Sequence, residues 1–186
     1  MVITNYDLFL NESKKQKKSH DYGCIMMMFD IPNWDEYLNK IDKDDIFTEN
    51  GGYGLEKDPH VTILYGIYDS VDVNDIKPVV SGVDLSKYVT FNNISIFSNP
   101  LAKCDVVKFE TDSELLHTLN ADCRYHLAYM ETHPVYNPHM TIAYVKYGRG
   151  VKYMEMLKEP LVLKPSRIVY SVPNVGKEKH IDLIKW

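Results

Sequence analysis

The sequence predicts an α+β fold made of two related halves. The expected architecture is bilobal, with two pseudo-twofold-related antiparallel sheets flanked by helices around a central cleft. Three observations carry this reading. The phrase Asp58-Pro59-His60-Val61-Thr62-Ile63 returns as Asn137-Pro138-His139-Met140-Thr141-Ile142, 79 positions later. A tyrosine follows each Ile two residues on, Tyr65 and Tyr144. The elements around each copy also run in one order: strand, helix, loop, motif strand, helix, strand, turn, strand. A period of about 80 residues is too long for a solenoid and suits two lobes of one protein.

Residues 1–20 stand apart as an N-terminal extension ending in Lys14-Lys15-Gln16-Lys17-Lys18, read as a solvated segment. Residues 21–186 form a single bilobal domain, with lobes of roughly 21–104 and 105–186 between which strands can be shared. Tyr22 to Phe29 is a buried strand that Pro32 stops. Asn33 is the expected cap of a short helix to Ile41, with Trp34, Tyr37, Leu38 and Ile41 on one face. The polar loop 42–59 holds Gly51, Gly52 and Gly54, the mark of a mobile or tightly turning segment. A motif strand from His60 to Gly66 follows. Asp72 or Asn74 starts a short helix that Pro78 complicates. A strand from Val89 to Phe97 then precedes the Ser98-Asn99-Pro100 turn and a strand from Asp105 to Glu110.

The second half repeats the order. Asp112 or Ser113 caps a helix from Glu114 to about Leu127, with Leu115, Leu116, Leu119 and Cys123 apolar. A loop with two prolines leads to the second motif strand, His139 to Val145. A short helix near 151–157, a strand from Ser166 to Ser171, a turn at Pro173-Asn174-Val175-Gly176 and a strand from His180 to Trp186 complete the chain. Ile94-Ser95-Ile96-Phe97-Ser98 before one proline turn mirrors Ile168-Val169-Tyr170-Ser171 before the other.

Composition excludes several classes. No apolar run approaches the roughly 20 residues that a membrane span needs, so no membrane partner is expected. The N-terminus lacks a basic head and an apolar signal core, and a cytoplasmic protein is expected. Three cysteines, Cys24, Cys104 and Cys123, match no zinc spacing and read as buried or semi-buried thiols. The formal net charge of −5 argues against polymeric nucleic acid, whose binding rests on many Lys and Arg contacts to phosphate. A small nucleotide remains open, held by a few placed donors and aromatic faces. Lysine, asparagine, isoleucine and tyrosine are frequent and alanine scarce, the bias of an AT-rich genome such as that of many phages.

Alternate side chains of a strand share a face. His60 and Thr62 are therefore expected on one face of the first motif strand, with Val61, Ile63 and Tyr65 on the other. His139, Thr141 and Ala143 are expected to share a face in the second, opposed by Met140, Ile142 and Tyr144. If the two His/Thr faces meet, two imidazoles flank one small space suited to a phosphodiester with a neighbouring ribose hydroxyl. One neutral imidazole takes the 2′-hydroxyl proton and the other, as imidazolium, protonates the departing 5′-oxygen. The threonine hydroxyls donate to the non-bridging phosphoryl oxygens as charge builds there. A hydrolytic metal would call for His-x-His or a carboxylate within the motif. Pro59 separates Asp58 from His60, and the counterpart of Asp58 is Asn137, so no metal and no other cofactor is expected. His20, His117, His126, His133 and His180 have no repeated partner and read as surface or structural, with His133 the first exception to consider.

The paired His-x-Thr motifs, His60 to Ile63 and His139 to Ile142, resemble those of the two-histidine (2H) phosphoesterase superfamily. The repeat covers nearly everything from Tyr22 to Trp186. The resemblance implies a duplicated α+β fold, metal-independent chemistry on ribose phosphodiesters, and functional positions at His60, Thr62, His139 and Thr141. Tyr22-Gly23-Cys24-Ile25-Met26 at the first strand, the short length and the phage-like composition look like the phage anti-CBASS nucleases. That branch implies a cyclic di- or trinucleotide immune messenger as substrate, such as 3′,3′-cyclic GMP–AMP, linearised in the host bacterial cytoplasm. It also implies aromatic stacking on the bases. Tyr22 fits the position of such a residue; Tyr53, Phe97, Tyr136 and Trp186 are further candidates. The rival within the superfamily acts on linear 2′–5′ oligoadenylates or on RNA 2′,3′-cyclic phosphate ends, and the acidic balance mildly disfavours RNA ends. A rival of another class is a non-catalytic nucleotide sponge, which needs no acid–base pair.

Overall fold

The computed structural model describes residues 22–49, 54–173 and 180–185. The N-terminal extension, Tyr53, Trp186 and the residues of the last turn after Pro173 lie outside the described residues. The first half contains β1 (Gly23–Phe29), α1 (Trp34–Leu38), β2 (His60–Ile67), α2 (Val73–Val80), β3 (Val89–Phe91) and β4 (Asn93–Asn99). The second contains β5 (Cys104–Glu110), α3 (Glu114–His126), β6 (His139–Lys146), a 3₁₀ helix (Val151–Met156), β7 (Leu161–Leu163), β8 (Pro165–Ser171) and β9 (His180–Lys185).

The strands form one seven-stranded antiparallel sheet in the order β4-β5-β6-β2-β1-β8-β9, and β3 pairs with β7 separately. Each half pairs its first strand with its motif strand, β1 with β2 and β5 with β6. Its later strand leaves to pair with the first strand of the other half: β4 lies on β5, and β8 on β1. The two expected sheets are thus half-sheets joined edge to edge. The registered pair at the join is Val61 opposite Met140.

Beyond that pair the motif strands need other partners, because buried backbone groups left unpaired are costly. The loop before each motif crosses to the motif strand of the other half. Glu56 N–H donates to the Ile142 carbonyl at 2.9 Å, and Tyr144 N–H to the Gly54 carbonyl at 2.8 Å. Reciprocally, Met130 N–H donates to the Gly66 carbonyl at 2.8 Å. Gly66 has φ +94°, and a Cβ there would sit 2.4 Å from the Met130 carbonyl oxygen, so this crossing requires glycine. The helices cross as well: α3 packs on β2 and α1 on β6.

Val61, Ile63, Met140 and Ile142 are buried on the core face, among Phe29, Phe91 and Phe109. Burying one such side chain contributes roughly 1.5–3 kcal/mol. Asp72 caps α2 reciprocally with Asp75, which offsets the missing N–H of Pro78 inside the helix. Asn33 and Ser113 occupy the N-cap positions of α1 and α3 without a side-chain cap bond. The strand expected from Val89 to Phe97 divides at Asn92, whose N–H turns to the Glu110 carbonyl. No helix among the described residues is long and apolar enough to cross a membrane.

Both motif strands carry a bulge at the same place. Ile25 pairs with Leu64 but Met26 with Thr62, and Val107 pairs with Ala143 but Lys108 with Thr141. The extra residue puts two successive side chains into the core, Ile63-Leu64 and Ile142-Ala143, and reverses the alternation beyond it. This corrects the expected faces. Tyr65 and Tyr144 return to the His/Thr side, and Ala143 is buried in the core.

Candidate active site

The pairing registers bring His60, Thr62, His139 and Thr141 onto one face at the centre of the sheet. Antiparallel pairing about Val61 and Met140 sets His60 across from Thr141 and Thr62 across from His139. All four residues are half-buried, and their neighbours in sequence are buried except Pro59, which is half-buried itself.

The two imidazoles are anchored alike. His60 Nδ1 lies 2.7 Å from the Asp58 carbonyl oxygen, and His139 Nδ1 lies 2.8 Å from that of Asn137. A carbonyl only accepts, so both Nδ1 atoms carry the proton and donate it. The proline after each of these residues fixes the bend that presents the carbonyl to the ring. The Pro59 and Pro138 carbonyls in turn accept from Phe29 N–H at the end of β1 and from Thr111 N–H just past β5. Nε2 is therefore the exchangeable nitrogen of each ring. His139 is held below the ordinary imidazole range, first by burial, then by the charges of Lys108 and His60, against the opposing pull of its carbonyl partner and Glu110.

The neighbours on this face differ between the halves. Beside His60 and Thr62 stand Met28 and Met26, followed by Arg167 and Val169. Met26, Met28 and Val169 form a small buried apolar cluster with Cys24 packed against it. Beside His139 and Thr141 stand Glu110 and Lys108, followed by Asn93 and Ser95. Lys108 Nζ donates to Glu110 Oε1 at 2.8 Å and to Ser95 Oγ at 3.0 Å. Glu110 also accepts from Ser95 Oγ and from Asn93 Nδ2. These donors, led by Lys108, pull the Glu110 carboxyl down to about 2. It is ionised throughout the neutral range and is no candidate for proton transfer.

The aromatic candidates occupy distinct places. Tyr22 leads into β1 and packs edge-on against Tyr65 and Tyr68, at centroid distances of 6.2 and 6.1 Å. Its ring sits at the Tyr65 end of the motif face. Phe97 is on the same face but on the edge strand β4, opposite Val106. Tyr136 crosses between the halves: its hydroxyl donates to the Thr62 carbonyl at 3.0 Å and its ring meets His117 edge-on. Burial raises that phenol above its ordinary range. Tyr53 and Trp186 are among the residues not described.

Among the described residues, no three His, Cys, Asp or Glu side chains are grouped to hold a metal ion. Cys24, Cys104 and Cys123 form no disulfide, and burial pushes the Cys123 thiol up to about 12. A groove of about 730 Å³ lies near the N-terminus of α3, lined by Val83, Tyr88 and Asp112 among others. It touches neither motif; the duplicated chemistry, not the concavity, marks the site.

No protein-family model and no curated protein matches the chain. Solved structures do. Kluyveromyces marxianus Usb1 aligns with a TM-score of 0.54 at 9% identity, covering 88% of this chain and 98% of that one. The same figures hold for that Usb1 with uridine monophosphate. A structure described as a phosphoesterase aligns at 0.53 and 13% identity, covering 88% and 96%. The shared architecture spans almost the whole length of these proteins. The chain has the 2H phosphoesterase fold. Within that fold, the pair Lys108 and Glu110 is not among the residues that the sequence motifs single out. The available signal was the alternation of Val107 and Phe109 with Lys108 and Glu110 beside the second motif.

Proposed function

We propose that the protein is a phosphodiesterase that opens 3′–5′ bonds of ribonucleotides by attack of the adjacent 2′-hydroxyl, with His60 and His139 as the acid–base pair. The observation that carries this reading is the matched pair of Nδ1-anchored imidazoles, each with a threonine on the same face. One Nε2 takes the 2′-hydroxyl proton as the oxygen attacks phosphorus. The other gives its proton to the departing 5′-oxygen as the P–O5′ bond breaks. Thr62 and Thr141 donate to the non-bridging oxygens. The products are a 2′,3′-cyclic phosphate and a 5′-hydroxyl. No step asks for a metal.

The substrate proposed is a cyclic di- or trinucleotide messenger such as 3′,3′-cyclic GMP–AMP, degraded in an infected bacterial cytoplasm to counter CBASS defence. A nucleotide monophosphate held by the same fold in the Usb1 structure supports a nucleotide substrate. The net charge of −5 disfavours polymeric RNA. Linear 2′–5′ oligoadenylates and RNA 2′,3′-cyclic phosphate ends are the second reading, favoured by the same His/Thr geometry. A sponge is disfavoured because binding alone does not need two anchored imidazoles.

The test is a panel of cyclic and linear oligonucleotides in EDTA, with products identified by mass. Cyclic dinucleotides should be opened, and their 2′-deoxy analogues should resist. Efficient cutting of the deoxy analogue would move the nucleophile from ribose to water. Preference for 2′–5′ linkages would select the second reading, and binding without turnover would select the sponge.

A further inference from the structure

The two halves present the same His and Thr, yet only one presents a charge beside them. Lys108 pairs in register with Thr141, and its mirror position beside Thr62 is Met26. Its side chain is 13% exposed, so its ammonium is largely removed from water, where charge acts more strongly. Two of its three N–H groups go to Ser95 and Glu110, which hold it in place on the motif face. Glu110 makes three such contacts and is itself held ionised. On the other half, Met26, Met28 and Val169 offer no donor and no charge. The cation there is Arg167, one strand further out beside Met28 and 3.8 Å from Asp182.

Resting on the phosphodiesterase reading above, we propose that Lys108, held by Glu110 and Ser95, binds a non-bridging phosphoryl oxygen beside Thr141 and fixes the direction of the reaction, with His139 as the base and His60 as the acid. The pseudo-twofold would otherwise let a diester bind either way round. A largely covered cation directly beside one threonine and not the other gives the anionic oxygen one preferred side. The same ammonium faces His139, as do His60 from β2 and Glu110 from β5. Burial and the two cations outweigh Glu110 and the carbonyl anchor and favour the neutral ring, the form a base must start in. The acid role then falls to His60. Written out, His139 Nε2 accepts the 2′-hydroxyl proton, the 2′-oxygen bonds to phosphorus, and the 5′-oxygen leaves with the proton from His60 Nε2.

The experiment compares a natural 3′–5′ ribonucleotide diester with a ribonucleoside 3′-(4-nitrophenyl phosphate), whose leaving group departs without a proton. His60→Ala should lose roughly 10²-fold or more on the natural diester and recover to within about tenfold of the parent on the nitrophenyl ester. His139→Ala should stay low on both. Lys108→Met, which makes the halves alike, should lower kcat roughly 10²-fold on both substrates. It should also move the ascending limb of the pH–rate profile to higher pH, because the base loses a cation that depresses it. Lys108→Arg should restore part of both. Recovery of His139→Ala in place of His60→Ala overturns the assignment, as does a Lys108→Met enzyme with unchanged kcat and profile. If Lys108→Met fails to fold, the histidine comparison still decides the direction. If the parent opens neither substrate, or neither histidine matters, the phosphodiesterase reading itself fails.

Discussion

The strand pair β1/β2 sets Met28 and Met26 beside its His and Thr, where β5/β6 sets Glu110 and Lys108. The two pairs agree in every feature that anchors the imidazole. Both have the preceding proline, the Nδ1-to-carbonyl bond two residues back, the bulge after the threonine and the tyrosine returned to the motif face. They differ in what lies next to that machinery. A repeated strand therefore supplies two equivalently anchored imidazoles, and its neighbour strand makes them inequivalent. Four sets of substitutions break or sharpen the comparison.

The largest effect is expected at the imidazoles. His60→Ala and His139→Ala should each cost roughly 10²-fold or more in kcat/KM on a ribonucleotide diester. Thermal melting should change little, because both rings are half-buried at the rim of the core. An activity loss confined to one histidine would mean that only one half carries the chemistry. Next come the hydroxyls. Thr62→Ala and Thr141→Ala should each lower kcat about 10²-fold, at the lower end for one oxyanion donor. Thr62→Ala should be the more damaging, because Lys108 supports the oxygen beside Thr141; kinetics of both variants on one substrate checks the order.

A stability contrast follows from the crossing loops. Gly66→Ala should destabilise by roughly 1–3 kcal/mol, because φ +94° and the Met130 carbonyl at 2.4 Å leave no room for a Cβ. The corresponding residue of the second half is Val145, so the requirement belongs to one crossing alone. Urea titration of the variant measures it. The smallest effect concerns acid. Glu110 is depressed from 4.5 to about 2 in the folded protein, so its stabilisation is present above pH 4.5 and fades as pH falls through 2. Glu110→Gln should flatten the stability profile over that window. The change should be modest, since the side chain is 44% exposed and solvent screens it. The mirror substitution Met28→Gln should leave the profile's shape unaltered.

Much of the candidate site was legible in the sequence because its evidence is local. Strand periodicity alone placed His60 with Thr62 and His139 with Thr141, and the repeat placed the two strands in equivalent slots. What was not legible depends on partners distant in the chain. A strict period of two sent Tyr65 and Tyr144 to the core. The bulges reversed them, and the adjacent apolar residues Ile63-Leu64 and Ile142-Ala143 were the trace left in the sequence. The exchange of β4 and β8 between halves is a pairing choice that no local pattern encodes. Strand β7 is three residues long, too short for periodicity to reveal. Tyr136 reads from sequence as a stacking candidate; in the fold its hydroxyl ties the second pre-motif loop to the first motif strand. Lys108 gains its importance only from lying opposite Thr141, a relation the sequence does not display.

The most direct measurement is the product of 3′,3′-cyclic GMP–AMP incubated in EDTA with the parent protein and with His139→Ala, resolved by mass. The account predicts a linear product with a 2′,3′-cyclic phosphate and a 5′-hydroxyl from the parent, and almost none from the variant. A product with a 3′-hydroxyl and a 5′-phosphate, a requirement for added metal, or equal turnover by the variant would contradict it.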